Sequence, residues 1–183
     1  MRRPPTPSPT SSNGFTLVEL LVCLVMLALL ALLATPASHS LLERHRALAA
    51  EHSLVRHLNM TRMAAVTHRR PAVLCPSRDG MQCARGIDWN IGWLLFLDRD
   101  GDRMPDQPED ILRSEGGPSA PHLRLIGTRG RNAARYLPDG RSSGSNLTVS
   151  ICNQGGELLA QVIVNNAGRV RSQRPRAPRP CPG

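Results

Sequence analysis

The stretch that most constrains this chain is a long apolar run near its N-terminus, residues 14–36. From residue 15 to residue 34 it contains one charged side chain, Glu19. A helix of about 20 such residues, at about 1.5 Å per residue, is long enough to cross the hydrocarbon core of a bilayer. A carboxylate inside such a span costs roughly 2.5–3.5 kcal/mol at the helix centre, so Glu19 is expected to have a partner. The run predicts a transmembrane helix over residues 15–36.

The residues before this run predict a short leader on the cytoplasmic side of the membrane. Residues 1–13 are rich in Pro, Ser and Thr, and Arg2 and Arg3 favour cytoplasmic retention. The small residue Gly14 precedes the apolar run, whereas a secretory signal peptide places its cleavage site after the apolar core. A cut at Gly14 would therefore leave the helix on the mature chain, as a single-pass anchor in the inner membrane with a periplasmic C-terminal domain.

The sequence Gly-Phe-Thr-Leu-Val-Glu-Leu at residues 14–20 resembles the N-terminus of type IV pilins and pseudopilins. The resemblance implies that a prepilin peptidase cuts after Gly14 and that the new N-terminal Phe15 is methylated. It also implies that Glu19 pairs with the terminal amine of a neighbouring subunit in a filament. The implied partners are other pilins, contacted through the N-terminal helix, the peptidase, and the inner membrane before assembly.

After Pro36 the apolar pattern becomes amphipathic. Leu41, Leu48 and Val55 recur every seven residues, which predicts a helix with one buried face that continues to about His68. Pro36 lacks a backbone N–H, so a kink or local melting is expected there. The chain thus divides into a leader (1–14), a transmembrane or filament-core helix (15–36), an amphipathic half of the same helix (37–70) and a β-rich domain with a basic tail (71–183).

Short strands are predicted beyond residue 70, because apolar or alternating runs are separated by turn sequences. An antiparallel sheet packed on the amphipathic half of the helix would bury both apolar faces, giving an α+β architecture, and that architecture is the type IV pilin fold. Trp89 and Trp93 are expected to cap its small core. The predicted strands are 72–75, 92–97, 123–126, 147–152 and 158–164, with a possible return at 169–171.

Four cysteines outside the apolar helix predict two disulfides if the domain faces an oxidising compartment. Three pairings are possible, and we favour Cys75 with Cys83, which closes a turn, and Cys152 with Cys181, which fixes the C-terminal tail. A zinc site is the alternative. It is disfavoured because the chain contains no Cys-x-x-Cys pair.

Acidic residues are concentrated in one loop, at Asp98, Asp100 and Asp102, with Asp106 and Glu109 following. The spacing resembles a calcium loop, although Arg103 occupies the position where an EF-hand needs glycine. A solvated acidic loop without a cofactor is the main interpretation. Calcium bound by Asp98, Asp100 and Asp102 is the alternative.

The second half of the chain is basic. The formal net charge of the protein is +9, every basic residue is an arginine, and residues 116–183 contain ten arginines but only Asp139 and Glu157 as acids. Such an imbalance favours an anionic partner such as nucleic acid or anionic lipid.

Several downstream sequences resemble the GspH/FimT group of minor pilins and pseudopilins. They are Leu-Cys-Pro-Ser at 74–77, Asp-Trp-Asn-Ile-Gly-Trp at 88–93, Pro-Asp-Gly-Arg at 138–141 and Gly-Arg-Val-Arg at 168–171. In FimT-like minor pilins a Gly-Arg-x-Arg motif implies DNA binding during natural transformation. The residues that match or extend this motif are Gly168, Arg169, Arg171, Arg174, Arg176 and Arg179, and Arg129, Arg131, Arg135 and Arg141 would widen the patch.

The sequence contains none of the common enzyme motifs: no nucleophile elbow, P-loop or His-Glu-x-x-His pattern is present. A non-enzymatic minor pilin that binds extracellular DNA is therefore the predicted function. The alternative is a GspH-like pseudopilin of type II secretion with a structural role.

Overall fold

The computed structural model of the protein describes residues 16–117, 122–144 and 146–182, without the side chains of residues 31–40. Its first element is one α-helix, α1, over Leu17–His68. The predicted end of this helix at about His68 is confirmed. The backbone stays helical through Pro36, so the predicted local melting is not observed; a proline removes one hydrogen bond, and the remaining bonds of the helix continue on either side.

The chain divides into two compact units at Ser40 and Leu41. Among the described residues, no helix combines the length and the apolar character needed to cross a membrane. The predicted leader 1–14 and Phe15 lie outside the described residues, as do the side chains of 31–36 within the predicted span.

In the described part of the chain after α1, eight strands form two antiparallel sheets of four strands each. The first sheet has the order β3-β2-β1-β5 and the second β4-β6-β7-β8. The predicted antiparallel pairing is confirmed, and the strands divide between two sheets where the sequence analysis described one. The strands are β1 (Ala72–Pro76), β2 (Gly92–Leu97), β3 (Ile111–Gly116), β4 (Leu123–Gly127), β5 (Ala134–Tyr136), β6 (Leu147–Asn153), β7 (Leu158–Val164) and β8 (Val170–Gln173).

Strands β3 and β5 were not predicted, and both lie at an edge of the first sheet. The β3 sequence Ile-Leu-Arg-Ser-Glu-Gly places charged and polar side chains on an exposed strand, so it shows no clean apolar alternation. Strand β5 has three residues and pairs with β1, which lies about sixty residues earlier in the chain. Neither strand leaves a local pattern that sequence reasoning can detect.

The main core joins the second part of α1 to one face of each sheet. Leu54 and Leu58 of α1 are fully buried against residues such as Leu74 of β1 and Ile151 of β6. Spacings of three and four residues along α1 put its buried side chains on one stripe. The two tryptophans belong to this core, with Trp89 0% and Trp93 1% exposed, which confirms their predicted role. The fold class predicted from the sequence, α+β, is also confirmed.

Two disulfides are present, between Cys75 and Cys83 and between Cys152 and Cys181. These are the two favoured pairings. The closed loops span 8 and 29 residues of sequence separation. In the loop-entropy model, they contribute about 2.5 and about 3.5 kcal/mol to stability.

Candidate functional site

The Gly-Arg-x-Arg sequence begins in the turn between β7 and β8 and ends on β8, and its glycine is required by the backbone. Gly168 has a φ of 75°, and its N–H donates to the carbonyl oxygen of Asn165 at 2.9 Å. A Cβ at Gly168 would lie 2.0 Å from the carbonyl oxygen of Gly140, in the turn of residues 137–141. The two turns therefore touch backbone to backbone. Gly168 thus has a structural role, and it places Arg169 and Arg141 beside the same contact.

Arg169 and Arg171 are exposed on this turn and on the edge strand β8. Arg171 pairs in register with Ile163 of β7, whereas the neighbouring pair is Val164 with Val170. Val164 and Val170 pack in the main core, so Arg171 points to the opposite face of the sheet. Among the described residues, neither arginine has a carboxylate within ion-pair distance.

Arg174 differs from these two arginines because it points toward α1. Its Nε and Nη2 donate to Oε2 of Glu51 at 3.2 and 3.0 Å. The Glu51 side chain is 6% exposed and that of Arg174 54% exposed. Arg174 therefore compensates a nearly buried carboxylate on the helix, and much of its charge is used within the protein.

Arg176 and Arg179 are exposed on the tail that returns along the second sheet. The carbonyl oxygen of Arg179 accepts the N–H of Leu158, and the N–H of Cys181 donates to Gly156. Together with the Cys152–Cys181 disulfide, these bonds fix the tail at the Leu158 end of β7, while Arg169 lies beyond the Val164 end. A seven-residue strand is about 20 Å long, so the five arginines spread along one edge of the sheet. We refer to Arg169, Arg171, Arg174, Arg176 and Arg179 as the arginine edge.

Two further arginines flank the contact between Gly140 and Gly168. Arg141 is exposed, and its Nε donates to Oδ2 of Asp139 at 2.6 Å. The backbone N–H and the guanidinium of Arg141 together lower the pKa of the Asp139 carboxyl. Arg62 of α1 was missed by the sequence analysis: its Nε would lie 3.2 Å from a Cβ at Gly140. No short-range pattern links residue 62 to residue 140, so only the packing of α1 reveals it.

The arginines predicted to widen the patch do not behave alike. Arg131 is 8% exposed, and its Nη2 donates to Oγ of Ser142 and to the carbonyl oxygen of Ser143, at 2.9 and 2.7 Å. Arg135 donates from Nε to Oδ2 of the buried Asp98 at 2.8 Å. The prediction that these two arginines widen an exposed patch was therefore wrong. Arg131 is buried, and the charge of Arg135 is paired with the carboxylate of Asp98. Arg129 is exposed and stays in the predicted patch.

The acidic loop is organised by internal hydrogen bonds. Oδ1 of Asp98 accepts the N–H groups of Gly101 and Arg103, at 3.0 and 3.2 Å, while Oδ2 meets Arg135. Asp100 and Asp102 are exposed, and each accepts a backbone N–H two residues further on. One carboxylate oxygen from each of the three aspartates lies within 4.8 Å of the other two. Calcium binding at this loop stays a prediction.

The N-terminal site is described only in part. Gly14 and Phe15 lie outside the described residues. Glu19 is exposed in the first turn of α1, and its backbone N–H donates to Oγ1 of Thr16 at 3.3 Å. Its carboxylate is thus available to a partner outside the described part of the chain.

Comparison with solved structures supports the fold. The type IV minor pilin FimU of Pseudomonas aeruginosa superposes with a TM-score of 0.56 and 20% identity, over 74% of this chain and 96% of that chain. The minor pseudopilin EpsH from the Type 2 Secretion System of Vibrio cholerae gives a TM-score of 0.50 and 15% identity, over 72% and 99%. At these identities the likeness shows the fold alone, and it confirms the predicted type IV pilin fold. No curated protein matches the sequence.

Two family models match the chain itself. The prokaryotic N-terminal methylation motif matches residues 10–35. The model of the type II transport protein GspH matches residues 50–168, which is more than half of the 183 residues. The chain therefore belongs to the GspH family, with a prokaryotic N-terminal methylation motif ahead of the GspH match.

Proposed function

We propose that this protein is a minor pilin of a type IV pilus that binds extracellular DNA for uptake in natural transformation. It acts without catalysis, as a binding subunit. The observation that carries the proposal is the position of Arg169 and Arg171, which are exposed on a fixed turn and an edge strand and have no carboxylate partner among the described residues. Guanidinium groups presented in this way can form paired hydrogen bonds with phosphate oxygens.

DNA binding by this surface should depend on phosphates and show little sequence preference. Phosphate contacts fix the position of a duplex but do not read its bases. Base stacking needs exposed aromatic rings. The four aromatic side chains of Phe, Tyr and Trp among the described residues, Trp89, Trp93, Phe96 and Tyr136, are all buried. The interface is therefore electrostatic.

The proposed life cycle begins in the inner membrane. The precursor is held there by a single N-terminal span with its C-terminal domain in the periplasm, and it is cut between Gly14 and Phe15 before assembly. The match to the methylation motif supports this route. The two disulfides also support it, because such bonds persist in oxidising compartments.

The DNA experiment compares gel-shift titrations of a duplex at several salt concentrations. The full chain is used in an uncharged detergent, as the parent and as the Arg169→Gln/Arg171→Gln double variant. If the four edge arginines other than Arg174 neutralise about three to four phosphates, the slope of log K against log salt is about −2.7 to −3.6 for the parent. Loss of two phosphate contacts should flatten that slope by about two units.

A matched control removes two exposed arginines from elsewhere. Arg78→Gln/Arg113→Gln changes the net charge equally, and these residues lie in the loop after β1 and on β3. The control should retain the parental slope. Equal loss in both double variants would attribute binding to net charge, and unchanged binding by Arg169→Gln/Arg171→Gln would reject the motif as the site.

Processing and assembly should depend on different residues. Gly14→Glu is expected to leave unprocessed precursor, because the peptidase needs a small residue at the cut. Glu19→Ala is expected to be processed but poorly incorporated into filaments. Immunoblots of whole cells and of sheared filaments measure the two steps, and mature-length Gly14→Glu protein would contradict the proposed processing site.

A structural role in type II secretion is the second candidate. The matching family is described as a type II transport protein, and EpsH is a minor pseudopilin of such a system. In that role the arginine edge would contact a neighbouring subunit or a secreted protein. Neighbouring genes separate the two functions: pilus and competence genes favour DNA uptake, whereas a complete secretion operon favours the second role.

A further inference from the structure

A small cavity beside β5 is lined by three arginines, and none of the described residues that line it is acidic. Its volume is about 120 Å³, well above the roughly 10–15 Å³ that one water needs. Its walls include Arg103, Arg131 and Arg135, together with Asn132, Ser143 and Gly144. The cavity lies apart from the arginine edge, because none of the five edge residues lines it.

Arg131 is a buried cation that has no anionic partner among the described residues. It is 8% exposed, its Nη2 meets two neutral oxygens, and its Nη1 is buried with no hydrogen-bond partner. Burial and the nearby charge of Arg103 lower the pKa of this guanidinium. An uncompensated charge in a protein interior is unfavourable because it loses its hydration, and a bound anion would offset that loss.

Gly144 and Arg103 both have unusual backbone conformations in the lining beside this group. Gly144 has a φ of 98°, and a Cβ there would lie 2.9 Å from Nη1 of Arg131. A side chain at residue 144 would thus crowd the unpartnered nitrogen, whereas glycine leaves room for it. Arg103 has a φ of 70°, a conformation rare for a residue with a side chain, and its N–H is held by Asp98. The strained position brings a second arginine to the cavity.

Charge complementarity identifies the type of anion. Asp98 pairs with Arg135, which leaves Arg103 and Arg131 as the uncompensated charges of the lining. Asp100 and Asp102 are exposed and do not line the cavity. Two positive charges match a phosphate group, which carries about −1.5 to −2 at pH 7, better than a carboxylate with a single charge. We propose that this cavity binds one phosphate group through Arg131 and Arg103.

Calorimetric titration of inorganic phosphate into the full chain in an uncharged detergent, in a phosphate-free buffer of constant ionic strength, tests the proposal. The parent should bind one phosphate per chain. Arg103→Gln should weaken binding at least about tenfold, the size expected for loss of a charge-assisted hydrogen bond. Arg131→Gln should abolish it. Arg113→Gln, on the opposite edge strand β3 of the same sheet, should bind like the parent.

Circular dichroism shows whether each variant is folded. If Arg131→Gln fails to fold, Arg103→Gln still decides the question because Arg103 is exposed. Absence of saturable binding at millimolar phosphate in the parent would overturn the proposal, as would equal affinities of Arg103→Gln and Arg113→Gln. If a 5′-phosphorylated oligonucleotide displaces inorganic phosphate and the same oligonucleotide without the 5′-phosphate does not, the ligand of the cavity is the phosphorylated end of a nucleic acid. If neither oligonucleotide displaces inorganic phosphate, the ligand of the cavity is free phosphate.

Discussion

The acidic loop and the arginine edge both stand out in the sequence as runs of like charge, but the structure uses their charges differently. In the acidic loop, Asp98 is fully buried and bonded to Arg135 and to two backbone N–H groups. In the arginine edge, Arg169 and Arg171 are exposed, and among the described residues neither meets a carboxylate. Asp98 therefore stabilises the fold, whereas Arg169 and Arg171 remain available for binding.

The comparison shows that charge density alone does not identify a binding surface. Burial and the number of internal partners decide whether a charge serves stability or recognition, because buried pairs are costly to break and exposed charges contribute little. Arg174 shows the same difference within the arginine edge. It pairs with Glu51, whereas Arg171, three residues earlier, has no carboxylate partner among the described residues.

The largest effect is expected for Asp98→Asn. The substitution keeps an acceptor for the backbone N–H groups but leaves Arg135 without its carboxylate, so the free energy of unfolding should fall by about 3–5 kcal/mol. Urea unfolding followed by the fluorescence of the buried Trp89 and Trp93 measures it. Asp100→Asn, at an exposed position, is the control and should change stability by less than about 0.5 kcal/mol. Equal losses of unfolding free energy in the two variants would contradict this prediction, because the buried Asp98 would then stabilise the fold no more than the exposed Asp100.

Gly168→Ala is expected to have the next largest effect. A side chain at this φ costs about 1–2 kcal/mol, and the contact with Gly140 adds to it, so a loss of about 2–3 kcal/mol is expected. Gly156→Ala is a matched control, because its φ is 77° but no atom lies within 4 Å of an added Cβ. Its free energy of unfolding should fall only by about 1–2 kcal/mol, which is what a side chain costs at this φ. Similar losses in unfolding free energy would show that the turn contact at Gly140 has no energetic importance.

The smallest effects separate Arg174 from Arg171. Arg174→Gln leaves Glu51 without its partner and should lower the free energy of unfolding by about 1–2 kcal/mol. Arg171→Gln should change it by less than about 0.5 kcal/mol but should flatten the salt slope of DNA binding by about 0.9 units. Denaturant unfolding and gel shifts on both variants give the two quantities. If Arg171→Gln lowers the free energy of unfolding and Arg174→Gln flattens the salt slope, the roles assigned to the two arginines are wrong.

Local patterns in the sequence were sufficient for much of this fold. The amphipathic pattern after Pro36 predicted the end of α1, and the turn sequences at 153–156 and 165–168 predicted the hairpins that connect β6, β7 and β8. The seven-residue repeat was a wrong prediction of the buried face, because Leu41 is 58% exposed whereas Leu54 and Leu58 are fully buried. Long-range pairing was not predictable in this way. The split into two sheets depends on β1 meeting β5 and β4 meeting β6, and the pair of Arg174 with Glu51 spans 123 residues. Burial of Arg131 was equally hidden, because an arginine between Gly130 and Asn132 has the appearance of a solvated loop residue.

The Cys152–Cys181 bond also determines how the protein would carry a mechanical load. Strand β8 is at the edge of its sheet and pairs only with β7, so tension on a free tail would peel it away one hydrogen bond at a time. The disulfide instead connects the tail covalently to β6, which is paired on both sides by β4 and β7. Force from a polymer held at Arg176 or Arg179 would then enter the interior of the sheet, where many hydrogen bonds must shear together before the domain yields.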